Sequence, residues 1–242
     1  MMHVRKYGGS SVATMEQINE ICRHLPNEPI VVVVSAPYGR TANLYSQLDN
    51  KSPSTAFNHL IALGEQESCL KFKICLESLG RDAEIIDYKS AGIIASSSHG
   101  GYIVDCNAGY IQSRMAKNKI IIIPGFQGLY RDEIAILSKG ASDDTAVALS
   151  IALRCPCYIF SNVPFIRSTS NQRYQQISYN TLLNIITNYQ APMSRSSILM
   201  AKAHNKRIYF GFWQPKKHKD KKAGTFIGHE DKILNNKCEK NH

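Results

Sequence analysis

Hydrophobic runs of strand length alternate with longer segments of helical periodicity along the chain. Residues Ile30–Val34 are all apolar and β-branched, which is typical of a strand buried on both faces of a parallel sheet. The same pattern predicts further strands at Val4–Tyr7, Ala83–Asp87, Lys119–Ile123, Cys157–Phe160 and Arg207–Phe212. Helices are predicted over residues 55–80, at Ser142–Leu153, Tyr179–Tyr189 and Ser196–His204, and from an N-cap at Ser10 or Ser11 to Leu25.

Strands that alternate with helices indicate an α/β protein, here a three-layer α/β/α sandwich with a mostly parallel central sheet. No internal repeat and no flexible linker interrupts the alternation, so we interpret the two halves as lobes of one domain. In such folds, ligands bind in the loops at the carboxyl ends of the strands.

Composition narrows the class of protein. The chain has 242 residues, 43% of them hydrophobic and 20% charged, which excludes a disordered chain, a collagen-like repeat and a small disulfide scaffold. No apolar run reaches the roughly 18–20 residues that span a bilayer. Lys6 and the Gly8–Ser11 run stand where a signal peptide needs its apolar segment, so we predict a soluble protein without a membrane partner.

The seven cysteines are scattered, most of them in apolar context, which favours free thiols and a reducing cytoplasm. Cys155 and Cys157 have the spacing of a short metal or redox motif, but no second cysteine pair lies nearby in the sequence. We interpret both as buried thiols at the start of a strand, and we predict no metal ligands.

Part of the positive charge is concentrated at the carboxyl end. The formal charge is +10, and residues 216–242 hold eight lysines and four acids. The Lys216–Lys222 run could bind nucleic acid, but it lacks the interleaved aromatic residues of a stacking surface. Such a run is more often a solvated loop or tail, so nucleic acid is not an expected partner.

The first candidate site is Lys6–Val12, in which a strand ends at Gly8 and Gly9 and a helix follows. The backbone N–H groups of such a turn suit an anion, and Lys6 could place its ammonium on a transferring phosphoryl group. The lysine precedes the glycines, so the segment is not a P-loop. The alternative is an ordinary strand-to-helix turn, and the segment alone does not decide between the two.

The second candidate site is Leu137–Ala146, where a lysine and small residues again precede a helix. Ser142 or Asp143 could cap this helix, with Asp144 complementing its dipole. Alternatively, Asp143 points into a phosphate site and orients the groups around it. The local pattern by itself favours the cap.

Taken in order, these segments resemble the kinase domain of aspartokinases, within the amino acid kinase superfamily. The family motifs Lys-Phe-Gly-Gly-Thr-Ser-Val, Ser-Ala-x-x-Gly-x-Thr-Asn and Leu-Gly-Arg-Gly-Gly-Ser-Asp-x-Thr-Ala correspond to Lys6–Val12, Ser35–Asn43 and Leu137–Ala146. The second of these segments has one extra residue before its Asn. Shorter matches stand at Leu63–Glu65, Gly125–Gly128 and Gly224–Ile227. The resemblance spans residues 4–227, and the shared order of six motifs makes it specific.

The resemblance implies the amino acid kinase fold, ATP and Mg2+, and a role for each matching residue. The catalytic pair would be Lys6, on the ATP phosphates, and Asp143, which would organise the groups around the transferred phosphoryl. The amino acid would be held by Ser35, Thr41, Glu65, Lys139 and Ser142, with Glu65 on its ammonium group. The nucleotide would be bound by Lys6, Gly8, Gly9, Ser10, Ser161 and Asn162.

Most departures from the family pattern fall on the nucleotide side. There, an acid becomes Asn162, a glycine becomes Phe165 and a nucleotide-contacting lysine becomes Pro192. On the amino-acid side, the arginine that grips the substrate α-carboxylate is Lys139, and a lysine cannot form the planar fork of a guanidinium. The amino-acid side is therefore the better preserved of the two.

The leading hypothesis is an aspartate kinase, which makes 4-phospho-L-aspartate from the β-carboxylate of L-aspartate, on the route to lysine, threonine and methionine. One alternative, prompted by Lys139, is a related kinase for another small acid. Another is a non-catalytic homologue that binds a ligand or partner, prompted by Asn162, Phe165 and Pro192. A nucleic-acid role through Lys216–Lys222 is the most distant.

The resemblance also divides the chain. Residues 1–227 would be the kinase domain, with an amino-acid-binding lobe at 1–124, a nucleotide-binding lobe at 125–227 and a basic tail at 228–242. A homodimer is implied. The family continues after this domain into paired small-molecule-sensing ACT domains, whereas the sequence stops at residue 242, so we expect no feedback control through such domains.

Overall fold

The structure is a computed structural model that describes residues 2–48, 51–115, 120–168, 170–188, 192–213 and 224–233. Lys119, Tyr189, the Lys216–Lys222 run and most of the predicted tail at 228–242 lie outside the described residues.

The described elements follow one another as an alternation of short strands and helices. The strands are β1 (His3–Tyr7), β2 (Ile30–Val34), β3 (Ala83–Ile85), β4 (Ile93–Ala95), β5 (His99–Gly101), β6 (Ile103–Cys106), β7 (Ile120–Pro124), β8 (Gln127–Tyr130), β9 (Glu133–Leu137), β10 (Cys157–Phe160), β11 (Tyr174–Ser178), β12 (Ile208–Gly211), β13 (Thr225–Gly228) and β14 (Lys232–Ile233). The helices are α1 (Met15–His24), α2 (Arg40–Ser46), α3 (Thr55–Ser78), α4 (Gly109–Met115), α5 (Ser142–Ala152), α6 (Tyr179–Asn188) and α7 (Arg195–Ala203).

The strands form a large and a small sheet. The large sheet has the order β14-β11-β13-β12-β10-β1-β2-β7-β3. Its central strands all run parallel, and antiparallel pairing occurs at β12–β13 and β11–β14. This arrangement confirms the predicted mostly parallel sheet.

Helices cover both faces of the large sheet. Val31 and Val33 of β2 pack in the hydrophobic cluster that contains Leu149 of α5, whereas the other three β2 residues pack in the cluster that contains Ile18 of α1 and Phe72 of α3. All five β2 side chains are fully buried. The predicted three-layer α/β/α sandwich is therefore confirmed.

The first helix begins later than predicted. Gly9–Ser11 forms a short 3-10 turn, so neither Ser10 nor Ser11 is the N-cap of α1. The cap is Thr14, whose Oγ1 accepts the N–H of Gln17 at 3.2 Å, while the Gln17 side chain accepts the N–H of Thr14 at 3.2 Å. This reciprocal capping box satisfies two N–H groups of the helix start, an advantage that neither serine offers.

The small sheet was missed by the sequence pattern. It has the order β5-β9-β8-β4-β6 and draws on residues 93–137. Its strands come from both sides of the lobe boundary proposed after residue 124, and the division into lobes stays a prediction. Among the described residues, no helix is long and apolar enough to cross a membrane.

Candidate active site

Four neighbouring strands of the large sheet end at the same edge, and the segments that follow them lie side by side. The N–H of Gly8 donates to Phe160 O at 3.1 Å, so the turn after β1 lies beside the end of β10. The N–H of Ser35 donates to Tyr7 O at 3.2 Å, which places the loop after β2 on the other side of β1. The N–H of Gly125, after β7, donates to Val34 O at 2.9 Å. Such an edge is where ligands bind in parallel α/β sheets.

Two of these segments approach their neighbours so closely that only glycine fits. A Cβ on Gly9 would lie 2.6 Å from Ala36 O, and a Cβ on Gly125 would lie 2.7 Å from Ser142 Cβ. Both distances are shorter than the contacts that Cβ atoms make in proteins. A side chain at either position would therefore push the neighbouring segment away, and glycine avoids this because it has no Cβ. The glycines therefore bring the β1 turn, the β2 loop and the start of α5 together.

Lys6 and Asp143, which are far apart in the sequence, form an ion pair at this edge. The distance from Lys6 Nζ to Asp143 Oδ1 is 2.6 Å, and the two side chains are 12% and 7% exposed. Asp143 Oδ2 also accepts the N–H of Ser194 at 3.2 Å. A pair this deeply buried is strongly coupled, since water screens it little.

The N-cap prediction for α5 is wrong. The N-cap position is Ala141, which makes no side-chain cap, and Ser142 and Asp143 lie within the first turn of the helix. Asp143 turns toward Lys6 because the buried ammonium offers a charged partner, which is stronger than a helix N–H. The alternative, in which Asp143 points into a phosphate site and orients the groups around it, stays a prediction.

A cavity of about 760 Å³ opens beside this pair. Its lining includes six of the residues singled out from the sequence: Gly9, Ser35, Thr41, Glu65, Lys139 and Ser142. They come from the β1 turn, the β2 loop, α2, α3, the loop after β9 and α5. The fold thus brings all five predicted amino-acid-binding residues to one cavity.

Glu65 is a buried carboxyl with one oxygen unused. Its Oε1 accepts the N–H of Ala36 at 3.1 Å, whereas its Oε2 has no hydrogen-bond partner among the described residues. Glu65 is 3% exposed, and burial raises its pKa to about 7 although the Ala36 N–H acts in the opposite direction. A buried oxygen without a partner is costly, and a ligand cation would supply the missing contact.

Lys139 differs from Glu65 in being exposed. It follows Ser138, whose Oγ donates to Gly100 O at 2.7 Å, so the loop after β9 is fastened to β5. Lys139 lines the cavity, whereas Lys6 and Asp143 contact each other outside its lining. The lining of the cavity therefore includes a basic and an acidic residue, Lys139 and Glu65, and the Lys6–Asp143 ion pair lies next to it.

The predicted nucleotide-binding residues are more dispersed. Gly8 lies against Lys6, since a Cβ on it would be 3.5 Å from Lys6 Nζ. Ser10 lies in the 3-10 turn. Ser161 follows β10, and its Oγ donates to Asn162 Oδ1 at 3.2 Å. Asn162 is exposed and does not line the cavity.

Phe165 is part of the packing on the nucleotide side. It is 7% exposed, and the guanidinium groups of Arg167 and Arg173 lie 4.6 and 5.1 Å from the centre of its ring. The next residue, Ile166, donates its N–H to Thr225 Oγ1 at 2.9 Å, which fastens the segment to β13. The departure from glycine therefore adds a buried aromatic ring to this segment.

Two sets of contacts near the site were missed by the sequence analysis, which assigned Asp144 only to the helix dipole. Asp144 is 1% exposed, accepts Ser196 Oγ at 2.6 Å and is also hydrogen-bonded to Ser194 Oγ, so it holds the start of α7 against α5. Burial raises the pKa of Asp144. Tyr45 and His99 line the cavity as well. Neither set follows a local sequence pattern, because each partner comes from a distant segment.

Metal-binding clusters are absent from the described ranges, in which no three His, Cys, Asp or Glu side chains are placed to hold an ion. The two acids in the first turn of α5 are engaged: Asp143 by Lys6 and Ser194, and Asp144 by two serines. The described side chains therefore form no protein cage for Mg2+.

The structure is a mostly parallel α/β sandwich with charged residues around a cavity at the carboxyl edge of its sheet, the place where ligands bind in proteins of this class. The chain belongs to the amino acid kinase family, whose sequence profile matches residues 1–211.

Curated relatives carry the comparison further. The chain is 30% identical to aspartokinase 2 of Bacillus subtilis over 250 aligned residues, which cover 96% of this chain and 60% of the relative. It is 33% identical to an aspartokinase of Mycobacterium bovis over 177 residues, 68% of this chain and 42% of the relative. The resemblance to aspartokinases is thus confirmed, and the chain spans about half the length of the curated relatives it matches.

Among solved structures, aspartokinase III of E. coli in complex with aspartate and ADP superposes with a TM-score of 0.80 at 18% identity, covering 96% of this chain and 65% of that one. A UMP kinase from Bacillus anthracis superposes with a TM-score of 0.66 at 11% identity, covering 97% of this chain and 98% of that one. These similarities show the amino acid kinase fold.

Proposed function

We propose that this chain is an aspartokinase catalytic domain, which transfers the γ-phosphoryl group of ATP to the β-carboxylate of L-aspartate. The observation that carries the proposal is the unpartnered buried oxygen of Glu65, a residue that lines the same cavity as Lys139. A buried anion and a cation on one wall suit a ligand that carries an ammonium and a carboxylate.

On the amino-acid side, Glu65 Oε2 accepts from the α-ammonium group of aspartate and Lys139 neutralises its α-carboxylate. Ser35, Thr41 and Ser142 add hydroxyl groups around the same cavity. The β-carboxylate is then directed toward the edge where Lys6 and Asp143 meet. The charged groups of the ligand are thereby distinguished, because its ammonium is attracted to the buried acid and its α-carboxylate to Lys139.

On the phosphoryl side, Lys6 and the N-terminus of α5 offset the negative charge of two approaching anions. One β-carboxylate oxygen attacks the γ-phosphorus, the bond to the bridging oxygen breaks, and ADP leaves with the electron pair. An ionised carboxylate needs no general base, so the residues of the site need only position the two reactants and neutralise their charge. Asp143 positions Lys6 through their 2.6 Å contact.

The nucleotide is assigned to Lys6, Gly8, Gly9, Ser10, Ser161 and Asn162. Lys6 lies near the end of β1, and the other five residues follow the adjacent ends of β1 and β10. Mg2+ enters the proposal as the counter-ion of the ATP phosphates, because the described side chains offer it no cage. No step is assigned to the ion.

The partner and compartment are proposals too. A homodimer is supported by three large apolar residues, Leu63, Leu70 and Ile74, which are exposed on α3 at heptad-like spacing. A cytoplasmic location is supported by the cysteines, since the six in the described part of the chain are all free. Sedimentation velocity of the wild type and of a Leu70→Glu variant tests the dimer: dissociation by the variant is expected, and a monomeric wild type contradicts it.

The direct test is ATP-dependent formation of the acyl phosphate, trapped with hydroxylamine, with L-aspartate and a panel of other small acids. Product with L-aspartate is expected. If product forms only with another acid, that acid is the substrate instead of aspartate, in keeping with Lys139. If no acid gives product at high enzyme and Mg-ATP concentrations, the kinase activity is rejected.

A second candidate is a non-catalytic ligand-binding homologue. The observation in its favour is Phe165, which packs under two arginines on the nucleotide side. Calorimetric titration with ATP, with and without Mg2+, separates the two candidates: Mg-dependent binding of ATP supports the kinase, and no binding supports the homologue.

A further inference from the structure

Three rings meet at the wall of the cavity. The centroids of Tyr45 and Phe57 are 5.8 Å apart, those of Phe57 and His99 are 5.2 Å apart, and those of Tyr45 and His99 are 6.1 Å apart, all edge to face. Tyr45 and His99 line the cavity, and Phe57 is a buried residue of α3. The rings hold one another in place, so the polar atoms of Tyr45 and His99 have defined positions.

Asn58 determines which nitrogen of His99 carries the proton. Its Nδ2 donates to Ser98 O at 2.8 Å and to Ile134 O at 3.0 Å, and because both partners are carbonyls, this atom must be the amide nitrogen. Its Oδ1, 2.9 Å from His99 Nδ1, can therefore only accept. His99 Nδ1 must be the donor, and Nε2 of the neutral ring keeps its lone pair.

The tautomer of His99 in turn directs the Tyr45 hydroxyl. Tyr45 Oη lies 3.2 Å from His99 Nε2, and a neutral Nε2 can only accept, so the hydroxyl proton points to His99. The oxygen lone pairs of Tyr45 are then left for a donor. Burial lowers the pKa of His99, which favours the neutral ring. Burial, and to a smaller extent the negative charge of Glu65, raises the pKa of Tyr45, which keeps the hydroxyl protonated.

Glu65 belongs to the same arrangement. Asn58 and Glu65 are seven residues apart on α3, which places them on one face of the helix. Tyr45, His99 and Glu65 all line the same cavity. One face of α3 thus supplies a buried carboxylate and, through Asn58 and His99, an oriented phenol oxygen.

We propose that Tyr45 is a second acceptor for the ammonium group of the ligand, beside Glu65, and that His99 is the residue that positions it. The inference rests on the proposed amino-acid site. It makes Tyr45 a specificity-determining residue, because a hydroxyl whose proton is held by His99 offers the cavity an acceptor. An acceptor favours a ligand with an ammonium group over the same diacid without one.

The test compares L-aspartate with succinate, which keeps both carboxylates and lacks the ammonium. Titration calorimetry at pH 8 gives both dissociation constants for the wild type and for Tyr45→Phe, which loses only the hydroxyl. We expect the preference for aspartate to fall about ten-fold, the size of one hydrogen bond to a charged group. The affinity for succinate should change less than two-fold.

His99 is tested by a matched pair of variants. His99→Phe keeps a ring against Tyr45 and Phe57 but releases the hydroxyl proton, so the preference for aspartate should fall as in Tyr45→Phe. His99→Gln offers one donor and one acceptor and should restore most of the preference. Tyr102→Phe, at an exposed position outside the cavity lining, is the control and should leave both affinities unchanged.

The outcomes are distinct. A Tyr45→Phe variant that keeps the wild-type preference, or that loses both ligands equally, overturns the inference, and so does a His99→Gln variant as impaired as His99→Phe. A wild type that prefers aspartate but makes no acyl phosphate refutes the kinase activity and leaves the inference standing. A wild type without any preference overturns the inference together with the amino-acid site.

Discussion

The two sides of the carboxyl edge, which we propose to bind the amino acid and the nucleotide, differ in how their polar groups are satisfied. On the amino-acid side, Glu65 is 3% exposed and one of its oxygens has no partner in the described structure. On the nucleotide side, Asn162 is exposed and its side chain is hydrogen-bonded to the adjacent Ser161. Burying the unpaired oxygen of Glu65 costs folding free energy, whereas the exposed and hydrogen-bonded Asn162 has no such cost.

On the proposed function, this difference indicates the side on which ligand binding constrains the sequence. A buried acid with a pKa raised to about 7 destabilises the empty protein, and only a ligand that pairs with it offsets that cost. Exposed side chains such as Asn162 carry no comparable cost, so their replacement is tolerated. The contrast agrees with the distribution of departures from the family pattern, most of which fall on the nucleotide side.

The largest effect is expected where the two sides meet. Lys6→Met removes the cation next to both anions, and we expect kcat to fall on the order of 10² to 10³-fold, as for the loss of one transition-state donor. The variant also leaves Asp143 without its ammonium partner, which should cost about 3–5 kcal/mol of unfolding free energy. Coupled hydroxamate assays and urea titrations measure the two effects.

The double variant Lys6→Met/Asp143→Asn separates them. It removes both charges, so stability should recover while activity stays low. Lys73→Met, at an exposed pair with Glu77 3.8 Å away, is the control and should change neither. An active Lys6→Met variant would contradict the assignment of Lys6 to the transferred phosphoryl.

The next effect concerns Glu65. Glu65→Gln keeps an acceptor for the Ala36 N–H but loses the charge that pairs with the ammonium, and we expect the KM for aspartate to rise on the order of 100-fold. The KM for ATP should be unaffected. Glu77→Gln, a charge removal at the exposed end of the same helix, serves as the control. An unchanged KM for aspartate would remove Glu65 from the site.

Glu65 should also give the wild type a pH dependence that the Glu65→Gln variant lacks. Aspartate affinity of the wild type should rise with pH through about 7, as Glu65 ionises. Stability should move the other way. The unfolded carboxyl ionises near its usual 4.5 and the folded one at about 7, so the folded chain loses stability between these values. The full loss of unfolding free energy, about 3 kcal/mol, should be reached above pH 7 in the wild type. Glu65→Gln should show no such loss. Urea titrations at pH 5 and pH 8 measure it.

The elements predicted correctly are those whose sequence alone dictates burial. Ile30–Val34 and Cys157–Phe160 are strands with the predicted bounds, because a short apolar run rich in β-branched or aromatic residues is typical of a strand buried in a sheet. The five strands of the small sheet are short and include His99–Gly101, which has no alternating pattern to find. Their pairing is set by tertiary contacts.

The site divides in the same way. Glycine turns and helix starts pointed to the sheet edge, and the family resemblance selected Lys6 and Asp143, but no local spacing could show that these two side chains meet. Asn58 was beyond reach for a related reason. Its partners, Ser98 O and Ile134 O, are 40 and 76 residues away in sequence. A polar residue on a buried helix face is a signal that sequence analysis can note, but only the fold supplies the partners.

A smaller effect is expected on the nucleotide side. Asn162→Ala removes an exposed side chain whose partner is Ser161, so the KM for ATP should change at most about five-fold and stability by less than about 0.5 kcal/mol. The aspartate KM should not change. A loss of activity as large as that of Lys6→Met would show that the two sides are equally constrained, and the comparison would fail.

The smallest effect is expected from restoring the family's arginine at position 139. Lys139→Arg offers a planar fork to the α-carboxylate, and because the position is exposed, the gain should be modest, about three-fold in the KM for aspartate. Steady-state kinetics with L-aspartate and with a competing small acid measure it. If the variant loses affinity for aspartate and gains it for another acid, Lys139 sets the choice of substrate. Lys139→Met, which removes the charge altogether, should raise the KM for aspartate. The two variants should therefore change this KM in opposite directions.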